Sequence, residues 1–181
     1  MTLLNQEIQR RKNDLLEAGF KQDFVDKIVE KRKYLSKKSI VDRIEFLRDC
    51  GFTDPVKLIT KYPPIMCLSM KNINNKICGL HDRGFSNPVK LLTRAPRIFG
   101  FSFKNIDDKI KGLRERGFKK PNQTLTLAPT VFGINFVNID AKLLSLRKIG
   151  FKNPQRFLQE HRHCLVINLK QFKTRLMSFK N

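Results

Sequence analysis

The sequence predicts an all-α chain built as a helical-repeat solenoid, on three observations. Gly-Phe pairs stand at Gly19-Phe20, Gly51-Phe52, Gly84-Phe85, Gly117-Phe118 and Gly150-Phe151, spaced by 32, 33, 33 and 33 residues. Prolines keep the same step, at Pro55, Pro88, Pro121 and Pro154 and again at Pro63, Pro96 and Pro129. Apolar residues at helical spacing fill the interval before each Gly-Phe. Self-similarity at one fixed period of this length is the signature of stacked supersecondary units.

Each repeat reads as two helices. In the first, helix A, Asp54-Pro55, Asn87-Pro88 and Asn153-Pro154 put a capping side chain ahead of a proline at the first helical position, where the missing N–H costs nothing. The second proline ends helix A after about two turns, because it cannot continue the hydrogen-bond ladder and drives the preceding residue out of the helical region. Arg162 takes that proline's place in the last repeat.

The second helix, helix B, starts after Ser36, Ser69, Ser102 and Asn135, with Asn168 at the same place near the end, all good N-caps. Its buried stripe is Ile40, Ile44 and Leu47, then Ile73, Ile77 and Leu80, then Ile106, Ile110 and Leu113, then Ile139, Leu143 and Leu146. The glycine closes it in a left-handed conformation and the phenylalanine folds back on the last turn. Phe99, Phe101, Phe103, Phe132 and Phe136 fall in the short turn between helices A and B. They read as seals between neighbouring repeats rather than as base-stacking platforms.

The predicted organisation is a single domain over residues 1–181. It opens with a half-repeat at 1–18, continues with repeats starting near 19, 51, 84 and 117, and closes with a degenerate repeat at 150–181.

Charge points to the partner. The chain carries 37 Lys+Arg against 16 Asp+Glu, a formal +21, together with 40% hydrophobic residues, so it can bury a core while needing a polyanion for counter-charge. A nucleic acid fits that requirement. No apolar run reaches the roughly 18 to 20 residues needed to cross a bilayer, so no membrane partner is expected. The first twenty residues lack the continuous apolar stretch of a secretory signal and read as mature structure. Cys50, Cys67, Cys78 and Cys164 form no C-x-x-C pair and sit among apolar residues, which predicts buried, reduced thiols and an intracellular reducing compartment.

The blocks DPVKLITKYPPIMCLSMKNINNKICGLHDRGF and NPVKLLTRAPRIFGFSFKNIDDKIKGLRERGF resemble the mitochondrial transcription termination factor (mTERF) family, and the pattern covers nearly the whole chain. The resemblance implies a left-handed superhelix of triangular repeats, each of two helices and a short 3₁₀ turn. It further implies a basic concave groove for double-stranded DNA or, in some members, RNA, a role in transcription termination or gene regulation, and an organelle address. Double-stranded DNA is the favoured ligand, with RNA or a protein-interaction scaffold as alternatives, and the chain is expected to act as a monomer.

Aligned by repeat, the basic residues fall into columns. Eight residues ahead of the Gly-Phe glycine or its equivalent stand Arg11, Arg43, Lys76, Lys109, Lys142 and Arg175, a ladder suited to following phosphates. Lys38, Lys71, Lys104 and Lys170, with Val137 the exception, occupy the first turn of helix B. A cation there opposes the helix dipole by roughly 0.3 to 1 kcal/mol, which a bound phosphate would offset. Arg48, His81, Arg114 and Arg147 form a third column near the end of helix B, where a cation also serves the dipole. Arg94 and Arg97, with other cations of helix A, vary between repeats and are candidates for base reading.

Enzymatic readings find no support. There is no phosphate-binding glycine loop, and the adjacent Asp107-Asp108 point to different sides of a helix. His161, His163 and Cys164 lack a fourth ligand at metal-site spacing, so neither a metal nor a cofactor is expected.

Overall fold

The computed structural model describes residues 3–31 and 37–178, with side chains for 5–29 and 40–176. Among the described residues every regular element is helical: α1 (Leu3–Glu17), α2 (Gln22–Lys31), α3 (Lys37–Asp49), α4 (Pro55–Lys61), α5 (Met70–Asp82), α6 (Pro88–Arg94), α7 (Phe103–Glu115), α8 (Pro121–Leu127), α9 (Phe136–Lys148), α10 (Pro154–Glu160), α11 (His163–Val166) and α12 (Leu169–Ser178). Three 3₁₀ turns, Pro63–Cys67, Pro96–Gly100 and Pro129–Gly133, link helix A to helix B. In the degenerate repeat, where Arg162 replaces the proline, the single α-turn α11 takes that place.

The elements form for the reasons their sequences give. Asp54, Asn87 and Asn153 accept the N–H groups of Lys57, Lys90 and Arg156 at 2.8, 2.8 and 3.0 Å, capping α4, α6 and α10. Lys120 precedes Pro121 without any side-chain cap. Helix B is capped in the same manner, by Ser69 on Asn72, Ser102 on Asn105, Asn135 on Val137 and Asn168 on Gln171. Ser36 lies outside the described residues. All five Gly-Phe glycines have φ between 80° and 92°. The following Phe N–H reaches the carbonyl five residues back, as in Phe52 to Leu47 at 3.0 Å and Phe118 to Leu113 at 3.1 Å. Only glycine enters that conformation without strain, so the pair is a helix stop fixed by backbone geometry.

Contacts divide the chain into two compact units, residues 1–78 with 87–99 and residues 79–86 with 100–181. In the first unit Phe52 is buried and its ring lies 6.2 Å from that of Phe99, over a core of Ile40, Leu47, Leu58, Ile59 and Ile65. In the second, Phe85 and Phe118 are buried with Ile106, Leu113, Leu125, Ile139 and Leu146, and the Phe85 and Phe132 rings lie 6.2 Å apart. Burying each such ring contributes roughly 2 kcal/mol. Of the phenylalanines expected to seal the repeats, Phe99 and Phe132 are thus core, while Phe101, Phe103 and Phe136 are half-buried. The cysteines depart from expectation: Cys164 is buried, but Cys67 and Cys78 are exposed and Cys50 is intermediate. Cys67 ends a 3₁₀ turn and Cys78 lies on the outer face of α5, so their apolar sequence neighbours do not cover them.

Two further links hold the second unit together. Gly79 in α5 and Gly112 in α7 lie against the Phe103 and Phe136 rings, where an added Cβ would come within 2.3 and 2.2 Å of ring carbons. Over each ring lies a guanidinium, Arg83 at 4.2 Å from the Phe103 centroid and Arg116 at 4.1 Å from the Phe136 centroid. The same arginines pair bidentately with the helix B that carries the ring, Arg83 with Asp107 at 2.6 and 3.0 Å and Arg116 with Asp140 at 2.6 and 2.8 Å. The Arg83 guanidinium holds the Asp107 carboxyl below the usual carboxylate range. Glycine, aromatic ring, arginine and aspartate therefore make one interlock between successive B helices, occurring twice at a 33-residue step.

Candidate nucleic-acid interface

The basic columns separate by direction. The ladder eight residues before the glycine turns inward. Arg43 on α3 donates to the Leu68 carbonyl at 2.5 Å and the Met66 carbonyl at 3.5 Å. Lys109 on α7 donates to Ile134 O at 2.6 Å, and Lys142 on α9 to Leu165 O at 2.7 Å and Ile167 O at 2.6 Å. These acceptors lie at the C-terminal end of the next repeat's 3₁₀ turn or of α11, where orphan carbonyls and the dipole both favour a cation.

The expectation that Arg43, Lys76, Lys109 and Lys142 grip phosphates is therefore corrected. Lys142 is 0% exposed and Lys76 8%, while Arg43 and Lys109 are half-buried. Burial lowers the pKa of Arg43 and Lys109, and pushes that of Lys142 down to about 8. Arg11 also departs from the ladder, pairing with Glu7 on its own helix. Arg175 is exposed.

The other columns face outward. At the start of helix B, Lys71, Lys104 and Lys170 are exposed; the Lys104 side chain is 82% exposed and pairs with Asp108 at 2.8 Å, which offsets its conflict with the dipole. The side chain of Lys38 falls outside those described. Val137, which breaks this column, is 71% exposed. Near the end of helix B, Arg48, His81, Arg114 and Arg147 are all exposed, as are Arg94 and Arg97. Among the described residues Arg114 and Arg147 have no carboxylate partner. In the last repeat the His161 ring lies tilted against that of Phe157, centroids 4.4 Å apart, and His163 Nε2 lies 3.3 Å from the buried Cys164 Sγ, a packing arrangement of a degenerate turn.

In the second unit Arg114 and Arg147 each line a cleft, and the two clefts share a Gly-Phe turn, a side-chain amide and the arginine. The first is bounded by the Gly84 turn, Asn122 at the start of α8, Lys120 and Arg114. The second is bounded by the Gly117 turn, Gln155 at the start of α10 and Arg147, with Glu115 and Asp140 also in its lining. Asn122 Nδ2 donates to Arg83 O at 2.6 Å and Gln155 Nε2 to Arg116 O at 2.9 Å, so each cleft floor is a side-chain amide tied to the carbonyl before a Gly-Phe. Sequence reasoning identified the arginines but not these amides. Their signal was present, as polar residues directly after the helix A proline in two repeats where the others have valine.

Chemically the second unit presents the Arg114 and Arg147 guanidinium groups, without a carboxylate partner among the described residues, at the same place in two successive repeats beside amide-floored clefts. That suits an anionic polymer. No helix among the described residues is long and apolar enough to cross a membrane. The family model for mTERF matches residues 1–138, more than half of the chain. No curated protein matches.

Proposed function

Because the chain belongs to the mTERF family, which suggests nucleic-acid binding and regulation of transcription, we propose that it binds nucleic acid through the outward columns of helix B, favours duplex DNA over RNA, and regulates transcription without catalysing a reaction. The observation that carries this reading is the pair Arg114 and Arg147, exposed and lacking a carboxylate partner among the described residues, at the same place in successive repeats. Lys71 and Arg97 in the first unit and Lys104, Lys120 and Lys170 in the second add exposed charge. A cation repeated at a fixed step matches phosphates that recur regularly, which favours a duplex over a flexible single strand. The chain acts as a monomer in this reading, and family membership suggests an organelle as its place of work.

A mobility-shift titration of duplex DNA, single-stranded DNA and RNA at two salt concentrations tests it. Duplex should bind tightest, and affinity should fall steeply with salt, as release of counterions from neutralised phosphates requires. Affinity that barely responds to salt would favour a protein-interaction scaffold and overturn the reading; a preference for RNA would overturn the choice of ligand.

A further inference from the structure

The interlock of the second unit stops one repeat before the end of the chain. At the positions of Gly79/Gly112, Phe103/Phe136, Arg83/Arg116 and Asp107/Asp140, the next step of 33 has Ser145, Leu169, Ile149 and Lys173. These four residues line an apolar groove between α9 and α12, together with Leu144, Leu176 and Lys148. Leu144 is 52% exposed and Ile149 37%.

The surface has changed sign as well as polarity. Glu115 of the preceding repeat corresponds to Lys148, Asp108 to Ala141, Asp140 to Lys173 and Lys111 to Leu144. No acid lines the groove, and neither lysine has a carboxylate partner among the described residues. A neighbouring pair of B helices buries its seam under an arginine–aspartate clasp, whereas this pair leaves an aliphatic floor open with ammonium groups beside it.

We propose that this groove is a docking site for an acidic amphipathic helix of a partner protein, its apolar face on Leu144, Ile149 and Leu169 and its carboxylates on Lys148 and Lys173. Charge complementarity selects that occupant. A second copy of a chain with formal charge +21 would bring cations to cations. A nucleic acid would place phosphates over leucine and isoleucine with no aromatic ring to stack on. Residues 177–181, MSFKN, contain no acid to meet the lysines. Helix-in-groove recognition uses this combination of apolar anchors and flanking charge. The proposal does not depend on nucleic-acid binding.

The test uses the full chain and a fluorescein-labelled synthetic helix of 18 residues with leucine along one face and glutamate beside it, read by fluorescence anisotropy. Saturable binding is expected, with a composition-matched scrambled peptide weaker by about tenfold, since a displaced apolar face forfeits its burial. Reversing Lys148→Glu and Lys173→Asp should weaken the helix by at least about tenfold, while Lys57→Glu with Lys61→Glu in the first unit should leave it within about twofold. The quadruple variant Ser145→Gly, Ile149→Arg, Leu169→Phe, Lys173→Asp rebuilds the interlock; it should lose peptide binding while keeping its helical circular dichroism. Equal binding of the scrambled peptide, or retained binding by the folded quadruple variant, would overturn the proposal. So would sedimentation showing a dimer for the parent and a monomer for the quadruple variant, which would assign the groove to a second copy. A gain in peptide affinity on removing residues 177–181 would assign it to the chain's own end and overturn the proposal equally.

Discussion

Lys142 and Arg147 stand five residues apart on α9, carry the same charge at neutral pH, and recur in equivalent places along the chain, yet they do opposite things. Lys142 is sealed from solvent and spends its ammonium on the carbonyls of Leu165 and Ile167. Arg147 is exposed beside a cleft with no carboxylate partner among the described residues. The difference teaches that regularity of charge is not a measure of ligand contact. An internal hydrogen bond between repeats needs a cation at every step as strictly as a phosphate ladder does.

The comparison is broken most sharply at Lys142. Lys142→Met should destabilise the fold by roughly 2 to 4 kcal/mol, because two carbonyls lose their partner in a buried site. Denaturant titration checks this; an unchanged midpoint would mean the inward column is dispensable.

Titration sharpens the same point. The folded-state pKa of Lys142 is depressed to about 8 from 10.5, so the unfolded chain binds the extra proton between those values. Stability of the parent relative to Lys142→Met should therefore rise with pH over that window, by at most about 3 kcal/mol, and be flat below it. Denaturation of both proteins at pH 7.5 and 9.5 gives the sign.

Next in size is Gly112→Ala, which forces a Cβ against Phe136 and should cost roughly 1 to 3 kcal/mol by thermal melting, with nucleic-acid affinity at fixed folded fraction unchanged. Arg114→Ala and Arg147→Ala should behave in reverse. Each should leave stability within about 0.5 kcal/mol while weakening duplex binding on all sequences and lowering the salt slope by roughly one. The smallest effect belongs to Lys104→Ala. It loses an exposed pair with Asp108 and, at the same time, a charge opposing the dipole, two small effects of opposite sign, so its melting temperature should hardly move.

Much of the fold was legible because its signals are local. A glycine forced to positive φ, a proline at the first helical position and a capping serine act within one turn, and each recurs often enough to be recognised. Charge direction was not legible, because the target of Lys109 lies 25 residues away on a turn whose open carbonyls depend on how the next repeat sits. The Gly79–Phe103 and Gly112–Phe136 contacts were missed for a related reason. A mid-helix glycine looks like a weak helix position until the ring that fills its place is known. A comparison within the chain does hold the hint, since the repeats with glycine have phenylalanine 24 residues on, whereas Phe46 and Ser145 are followed by Met70 and Leu169.

The links of the second unit span fixed intervals: 24 residues from Arg116 to Asp140, 25 from Lys109 to Ile134 and 39 from Gln155 back to Arg116. One residue inserted between α8 and α9 would leave each helix intact but shift all three registers together, separating a salt bridge, a carbonyl cap and an amide tie in a single event. Lineages of such a chain can change length by whole repeats, because a complete 33-residue step restores every interval, but hardly by single residues. The grain of permissible insertions and deletions is thus set by side-chain reach, and it makes duplication the accessible route by which an array of this kind grows.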